Sequence, residues 1–231
     1  MVKLLYPLLE NPYRPKDIKE GIKVLKSNKL TIGSKTLNFE QAFTKKLKIK
    51  NSLMVNSGSS ANLLALQCLI NPYRKKRLKR GDEVIVPSLC WSTSLWPIVQ
   101  SGLKPVFVDI NISTLNIDLN DLKKKINKKT KAILLVHVLG NCTDMSELMK
   151  IKKKNNLFLI EDTCESLGSK YDNRYLGTFG DFSSFSFYAS HQISSGEGGM
   201  LCCKDADDYE IIKSLRSHGW SRGLKKEKII A

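Results

Sequence analysis

The sequence predicts an α/β domain of three layers (α-β-α), with a mostly parallel sheet covered by helices on both faces. Two observations predict it. Short aliphatic and β-branched runs alternate with segments of helical periodicity, the order that builds βαβ units. The strand runs are almost continuously apolar, as in strands buried on both faces. Length permits this reading, since 231 residues with 42% hydrophobic content can bury one large core or two smaller ones.

The elements follow in order. Ile18, Ile22 and Leu25 recur at helical spacing, as do Phe39, Phe43 and Leu47. Leu53-Met54-Val55 is a strand ending in Asn56-Ser57-Gly58-Ser59-Ser60, and an apolar helix runs from Ala61 to Ile70. Val84 to Val86 reads as a strand, Ser92 to Gln100 as a helix and Val106 to Val108 as a strand. Asp121 to Asn127 is a polar helix, Ala132 to Val138 a buried strand and Asp144 to Lys154 a helix. Leu157 to Ile160 is a strand followed by Glu161-Asp162. Ser183 to Tyr188 and Gly199 to Cys203 are strands, and Asp207 to Ser217 is a helix. No internal repeat or low-complexity linker interrupts the chain, and the basic tail from Gly223 to Ala231 contains no recognisable element.

Composition excludes several classes. No apolar run approaches the ~20 residues of a membrane span. Leu4 to Leu9 is too short for a signal peptide, contains Pro7 and precedes no small-residue cleavage site. The six cysteines (Cys68, Cys90, Cys142, Cys164, Cys202 and Cys203) form no C-x-x-C pair, which argues against zinc. Several lie in apolar runs, as free thiols do in a reducing cytoplasm. Cys202 and Cys203, adjacent in a strand, point to opposite faces. The 38 Lys+Arg against 22 Asp+Glu give a net charge of +16. The lysine clusters at 75–77, 123–125, 152–154 and 225–226 fall in connectors and on polar helix sides without interleaved aromatics. They read as solvated surface rather than a nucleic-acid face, with attraction to anions as the other reading.

Ligands of open α/β sheets collect at the carboxyl ends of the strands. Asn56-Ser57-Gly58-Ser59-Ser60-Ala61-Asn62 follows a strand and opens a helix there. Free N–H groups, the helix dipole and a glycine suit a phosphate; an ordinary N-cap by Ser57 or Ser59 explains the same residues. The lysine of a nucleotide P-loop and the three-glycine dinucleotide fingerprint are both missing. Glu161-Asp162-Thr163-Cys164-Glu165 leaves a buried strand with carboxylates that need partners. A protonated pyridine nitrogen would be one; a helix cap or structural ion pair is the other reading. Gly180 to Gln192, with its Ser/Phe alternation, ends in His191 and precedes the glycine-rich turn Ser195 to Met200. Trp91 stands after a strand and at a helix start, either stacking on a planar cofactor or packing in the core.

Together the ordered segments N-S-G-S-S-A-N, P-S-L-C-W-S-T, F-V-D, H-V-L-G-N, E-D-T-C-E, G-T-F-G-D-F-S-S-F-S-F-Y and G-E-G-G-M are specific. From about Leu30 to Arg222 the chain resembles the DegT/DnrJ/EryC1/StrS family, pyridoxal-phosphate enzymes of nucleotide-sugar metabolism with the aspartate-aminotransferase-like fold. The resemblance implies that Gly58 and Ser59 are backbone donors to the cofactor phosphate and Ser186 a hydroxyl donor. It implies that Trp91 stacks on the pyridine ring and that Asp162 pairs with the pyridinium nitrogen, keeping the ring an electron sink. Glu165 would lie near the ring hydroxyl, where many aminotransferases of the family carry Gln.

The sequence departs from the family at position 191. Ordinary members carry a lysine there that forms a Schiff base with the cofactor; this chain has His191. That substitution resembles the family's sugar 3-dehydratases, which use pyridoxamine phosphate and remove the 3-hydroxyl of a 4-keto-6-deoxy sugar nucleotide, with His191 as the implied base. No cysteine follows Cys203, which favours the subgroup without an iron–sulfur cluster, where glutamate regenerates the amine form. An aminotransferase-like or inactive relative is the alternative, and a basic nucleic-acid-binding module the rival from another class. Family members are longer and dimeric, with a smaller C-terminal domain. The resemblance therefore implies an N-terminal helical segment (1–30), a cofactor-domain core (31–222) and a truncated tail (223–231). On that expectation the 231-residue chain alone binds cofactor weakly and turns over little.

Overall fold

The computed structural model describes residues 12–221 and Leu224. The first part of the N-terminal segment, the pair Lys225-Lys226 and the rest of the 223–231 tail apart from Leu224 lie outside the described residues.

Two helices, α1 (Pro15–Lys26) and α2 (Ser34–Leu47), precede β1 (Asn51–Val55) and α3 (Gly58–Ile70). Then come β2 (Glu83–Pro87), α4 (Ser92–Gln100), β3 (Lys104–Val108), α5 (Leu119–Lys125), β4 (Thr130–Val136), a 3-10 turn at Val138–Gly140, and α6 (Met145–Asn155). The chain continues through β5 (Phe158–Asp162), the hairpin β6 (Lys170–Tyr171) and β7 (Arg174–Tyr175), β8 (Phe182–Ser186), β9 (Gly199–Cys203) and α7 (Ala206–Arg216). Helix starts follow local chemistry: Ser57, Asp118, Asp144 and Asp205 each cap a helix through the side chain. Two of the lysine triplets fall in the last turns of α5 and α6, where the helix dipole favours cations.

The main sheet has the order β1-β9-β8-β5-β4-β2-β3. Strands β3, β2, β4, β5 and β8 are parallel, while β9 is antiparallel to both of its neighbours, β1 and β8. The carboxyl ends of β1, β2, β4, β5 and β8 therefore share one edge, and β9 begins there. The sequence carries no sign of the reversed β9, because an apolar pentapeptide buried on both faces has no directional signal. Strand β5 extends through Glu161 and Asp162, which pair with Leu135 and Val136 on one side and Ser183 and Ser184 on the other.

The core lies on both sides of the sheet. On one face Ala61, Ala65, Leu66 and Leu69 of α3, Ile98 of α4 and Ile211 and Ile212 of α7 meet Val84, Val86, Leu134, Ile160 and Leu201. On the other, Leu122 of α5 and Met145, Leu148 and Ile151 of α6 meet Ile85, Ile133, Leu135 and Leu159. Phe43 and Leu47 of α2 cover Phe185, Phe187, Met200 and Cys202. Cys203 joins the first cluster and Cys202 the third, so the adjacent cysteines do face opposite ways. The stripe Ile18, Ile22 and Leu25 forms its helix but remains 54%, 45% and 67% exposed, without cover among the described residues.

Candidate active site

The shared carboxyl edge forms a shelf. Ser57 caps α3 by accepting from Ser60 N at 3.1 Å, and Ala61 N bonds Ser57 O. Helix geometry leaves the Gly58 and Ser59 N–H groups without intrahelical acceptors. Register brings both Val55 and Ser186 opposite Gly199. Contact is so close that a Cβ on Gly199 would lie 2.3 Å from Ser57 C, and one on Gly58 2.9 Å from Ser186 Cβ. Ser186 is buried; its Oγ accepts from Tyr188 N at 3.3 Å and keeps its own proton to donate. Ser59 Oγ bonds Thr93 Oγ1 at 2.9 Å, joining the starts of α3 and α4. Backbone donors, hydroxyls and a helix N-terminus thus meet where two glycines let β9 and β8 pack directly against the start of α3.

Two carboxylates end β5, and alternation along the strand turns them to opposite faces. Glu161 is wholly buried, accepting from Phe179 N at 2.7 Å, Gly180 N at 2.6 Å, Gly177 N at 2.9 Å and pairing with His137 Nε2 at 2.9 Å. Burial pushes its carboxyl up, but the His137 bond and the Gly180 and Gly177 N–H groups outweigh that and hold it below the ordinary value. This explains the run Gly177-Thr178-Phe179-Gly180, whose backbone wraps the acid. A Cβ at Gly180 would lie 2.6 Å from Leu159 O. Asp162 faces α3 and α4 and is 6% exposed. Its donors are Asn62 Nδ2 at 2.7 Å, Ser94 Oγ at 2.8 Å and Cys164 N at 3.2 Å. All are neutral, and Asp162 makes no salt bridge among the described residues. Burial and the Asp162 charge raise the Cys164 and Cys90 thiols, which keeps them protonated rather than nucleophilic.

Trp91 precedes the first residue of α4 and is 74% exposed, so it is not a packing tryptophan. Glu165 is exposed; its Oε2 accepts from Leu139 N at 3.1 Å and its carbonyl from Gln192 Nε2 at 2.6 Å. Leu139 sits at φ 51°, a left-handed position that a leucine rarely adopts. His191 is half-buried, its ring 6.2 Å edge-on from Tyr188, with no side-chain hydrogen bond among the described residues. A cavity of about 660 Å³ lies elsewhere, among Lys46, Lys50, Arg174 and Lys204 at the opposite edge.

A model of the DegT/DnrJ/EryC1/StrS aminotransferase family matches residues 13–230. The chain belongs to that family. It is 43% identical over 225 residues to GDP-4-keto-6-deoxy-D-mannose 3-dehydratase of Escherichia coli O55:H7, covering 97% of this chain and 58% of that protein. A solved E. coli GDP-4-keto-6-deoxy-D-mannose-3-dehydratase with bound hydrated PLP superposes with a TM-score of 0.91 at 42% identity, covering 96% of this chain and 57% of that one. A further structure, a GDP-4-keto-6-deoxymannose-3-dehydratase with a trapped PLP-glutamate geminal diamine, gives 0.92 at 41% identity, over 98% of this chain and 58% of that one. The chain thus spans a little over half the length of these relatives, and its fold is the aminotransferase-like α/β fold.

The residues fit a phosphorylated pyridine. Gly58 and Ser59 offer N–H groups without intrahelical acceptors beside the Ser186 hydroxyl, a donor set that suits a phosphate. Asp162 is a buried carboxylate surrounded only by neutral donors, as a site for a cationic ring nitrogen requires. Sequence reading did not single out Asn62, Ser94 or the His137–Glu161 pair. The available signal was a polar residue within an apolar helix face, which periodicity treats as noise.

Proposed function

We propose that this chain is the cofactor-binding part of a nucleotide-sugar 3-dehydratase that uses pyridoxal and pyridoxamine phosphate. Its reaction would remove the 3-hydroxyl of a 4-keto-6-deoxy sugar nucleotide, in deoxysugar and polysaccharide biosynthesis. His191 carries the reading. It stands where the family's anchoring lysine is expected, and an imidazole is a side chain suited to general acid–base chemistry.

When bound, the cofactor supplies an amine for the sugar carbonyl and a ring that accepts electrons. The chain's own residues do the rest. Gly58 and Ser59 N–H groups and the Ser186 hydroxyl bind the phosphate. Asp162 holds the ring nitrogen, Trp91 covers one ring face, and Glu165 lies by the ring hydroxyl. His191 would act as the base and acid of the reaction, holding a proton taken from the cofactor's amine-bearing carbon and returning it to the departing 3-oxygen, which would leave as water. With no lysine at 191, the cofactor is retained by these contacts alone.

The core of this domain would span 31–222, after an N-terminal segment at 1–30. Glutamate is the proposed amino donor, and a second copy of the chain the proposed partner. Leu89, Trp91 and Leu139, which follow the carboxyl ends of neighbouring strands, are 40%, 74% and 76% exposed and would be covered by it. No helix among the described residues is long and apolar enough to cross a membrane; with six free cysteines, the cytoplasm is the proposed compartment. The test is incubation with candidate 4-keto-6-deoxy sugar nucleotides, pyridoxamine phosphate and glutamate, followed by product mass. Loss of the 3-hydroxyl supports the reading; a product that keeps it and gains an amine supports the aminotransferase alternative.

A further inference from the structure

The head group of Asp162 is held unevenly. Oδ2 accepts two hydrogen bonds, from Asn62 Nδ2 at 2.7 Å and Ser94 Oγ at 2.8 Å, while Oδ1 accepts one, from Cys164 N at 3.2 Å. A carboxylate offers about four lone-pair sites, so Oδ2 is filled by these two donors and Oδ1 is the oxygen with fewer of them. The two donors to Oδ2 come from different helices, α3 and α4, and are 1% and 0% exposed. Each lies on an otherwise apolar face, Asn62 beside Ala61, Ala65 and Leu66, and Ser94 beside Pro97 and Ile98.

Asn62 has a second peculiarity. Its Oδ1 is buried without a hydrogen-bond partner among the described residues. The amide therefore leaves one of its two polar atoms unpaired, and its only bonded group is the Nδ2 that donates to Asp162. Local rules of this kind are broken at sites kept for function. Its one bond runs to Asp162. Neutral donors also suit the task, since a lysine or arginine in their place would compete with a cationic ligand for the carboxylate.

We propose that Asn62 and Ser94 are positioning residues that clamp Asp162 through Oδ2 and leave Oδ1 for the cofactor's ring nitrogen. The proposal rests on the cofactor reading above. The terminal torsion of an aspartate is broad, so the carboxylate needs both anchors to keep Oδ1 turned toward the shelf. Loss of either lets it rotate and weakens the contact to the ring.

The test uses Ser94→Ala, Asn62→Leu and the conservative Ser94→Thr in the full chain, with pyridoxamine phosphate as the probe. Three quantities are read: the dissociation constant, the pH profile of the bound cofactor's absorption, and the melting temperature without cofactor. Ser94→Ala and Asn62→Leu are each expected to weaken binding about tenfold, the scale of one hydrogen bond to a charged group. The absorption change that reports ring-nitrogen deprotonation moves to lower pH, and Ser94→Thr restores both readouts. Unchanged affinity and pH profile overturn the clamp, as does weakening that merely parallels a lower melting temperature. The Ser94 pair decides the matter if Asn62→Leu does not fold. Absence of saturable binding in the unmodified chain overturns the cofactor reading itself, and the clamp with it.

Discussion

Replacing Glu161 by Gln keeps the volume of a wholly buried side chain and removes its charge. The carboxylate accepts at Oε1 from Phe179 N and Gly180 N, and at Oε2 from Gly177 N and His137 Nε2. An amide has only one acceptor oxygen, so its NH₂ group must face a donor. If the oxygen takes the Oε1 position, Gly177 N loses its acceptor; in the other orientation Phe179 N and Gly180 N both do. His137 can adapt by moving its proton to Nδ1, which has no partner among the described residues. The smaller penalty is one buried unpaired N–H, about 1–3 kcal/mol, plus about 1 kcal/mol for each of two bonds that become neutral. The sum is about 3–5 kcal/mol, and for a chain of this size it lowers Tm by about 6–20 °C. Calorimetry of the two proteins in one buffer measures it, and a drop below about 3 °C would refute the claim that this acid holds the 177–180 turn. Acid supplies a second reading. The Glu161 carboxyl is held below its ordinary 4.5 in the folded chain, so its contribution is complete above that value and fades as pH falls through the folded one. The gap in Tm between Glu161→Gln and the unmodified chain should therefore close on acidification and stay open at neutral pH.

Other substitutions probe the shelf. Gly199→Ala brings a Cβ within 2.4 Å of Ser57 O and 2.6 Å of Gly58 N; both are backbone, so Tm and phosphate affinity should fall together, and an alanine variant that melts and binds normally contradicts the close packing of β9 on the start of α3. Trp91→Ala removes a side chain that is 74% exposed, so stability should stay within about 0.5 kcal/mol. Cofactor affinity should drop about tenfold, at the upper end of what aromatic stacking supplies; unchanged affinity in a fluorescence titration removes Trp91 from the site.

Most helices and strands were legible because their apolar residues follow one period throughout. The helix at Ser92–Gln100 and the strand at Gly199–Cys203 have the bounds expected from sequence. Direction and partners were not legible. Residues 199–203 are apolar on both faces, so nothing in them says that β9 runs against its neighbours. The hairpin at 170–175 is too short for any period, and the stripe on α1 forms its helix without saying what would cover it. Of the candidate site, the glycines and the end of β5 were readable as residue types. Spacing in sequence could not show that Asn62 and Ser94 reach Asp162 from two helices. Nor could it show that Glu161, one residue away, serves the Gly177-Thr178-Phe179-Gly180 turn on the other face. Those facts arise only when strands distant in sequence become neighbours.

On the proposed function, His191 takes the place of an anchoring lysine and the cofactor is held without a covalent bond. Borohydride treatment of the chain with pyridoxal phosphate, followed by dialysis and intact-mass measurement, tests it most directly. An unmodified mass is expected, together with a cofactor absorption band that dialysis removes. A stoichiometric adduct fixed to one lysine of the unmodified chain would contradict it.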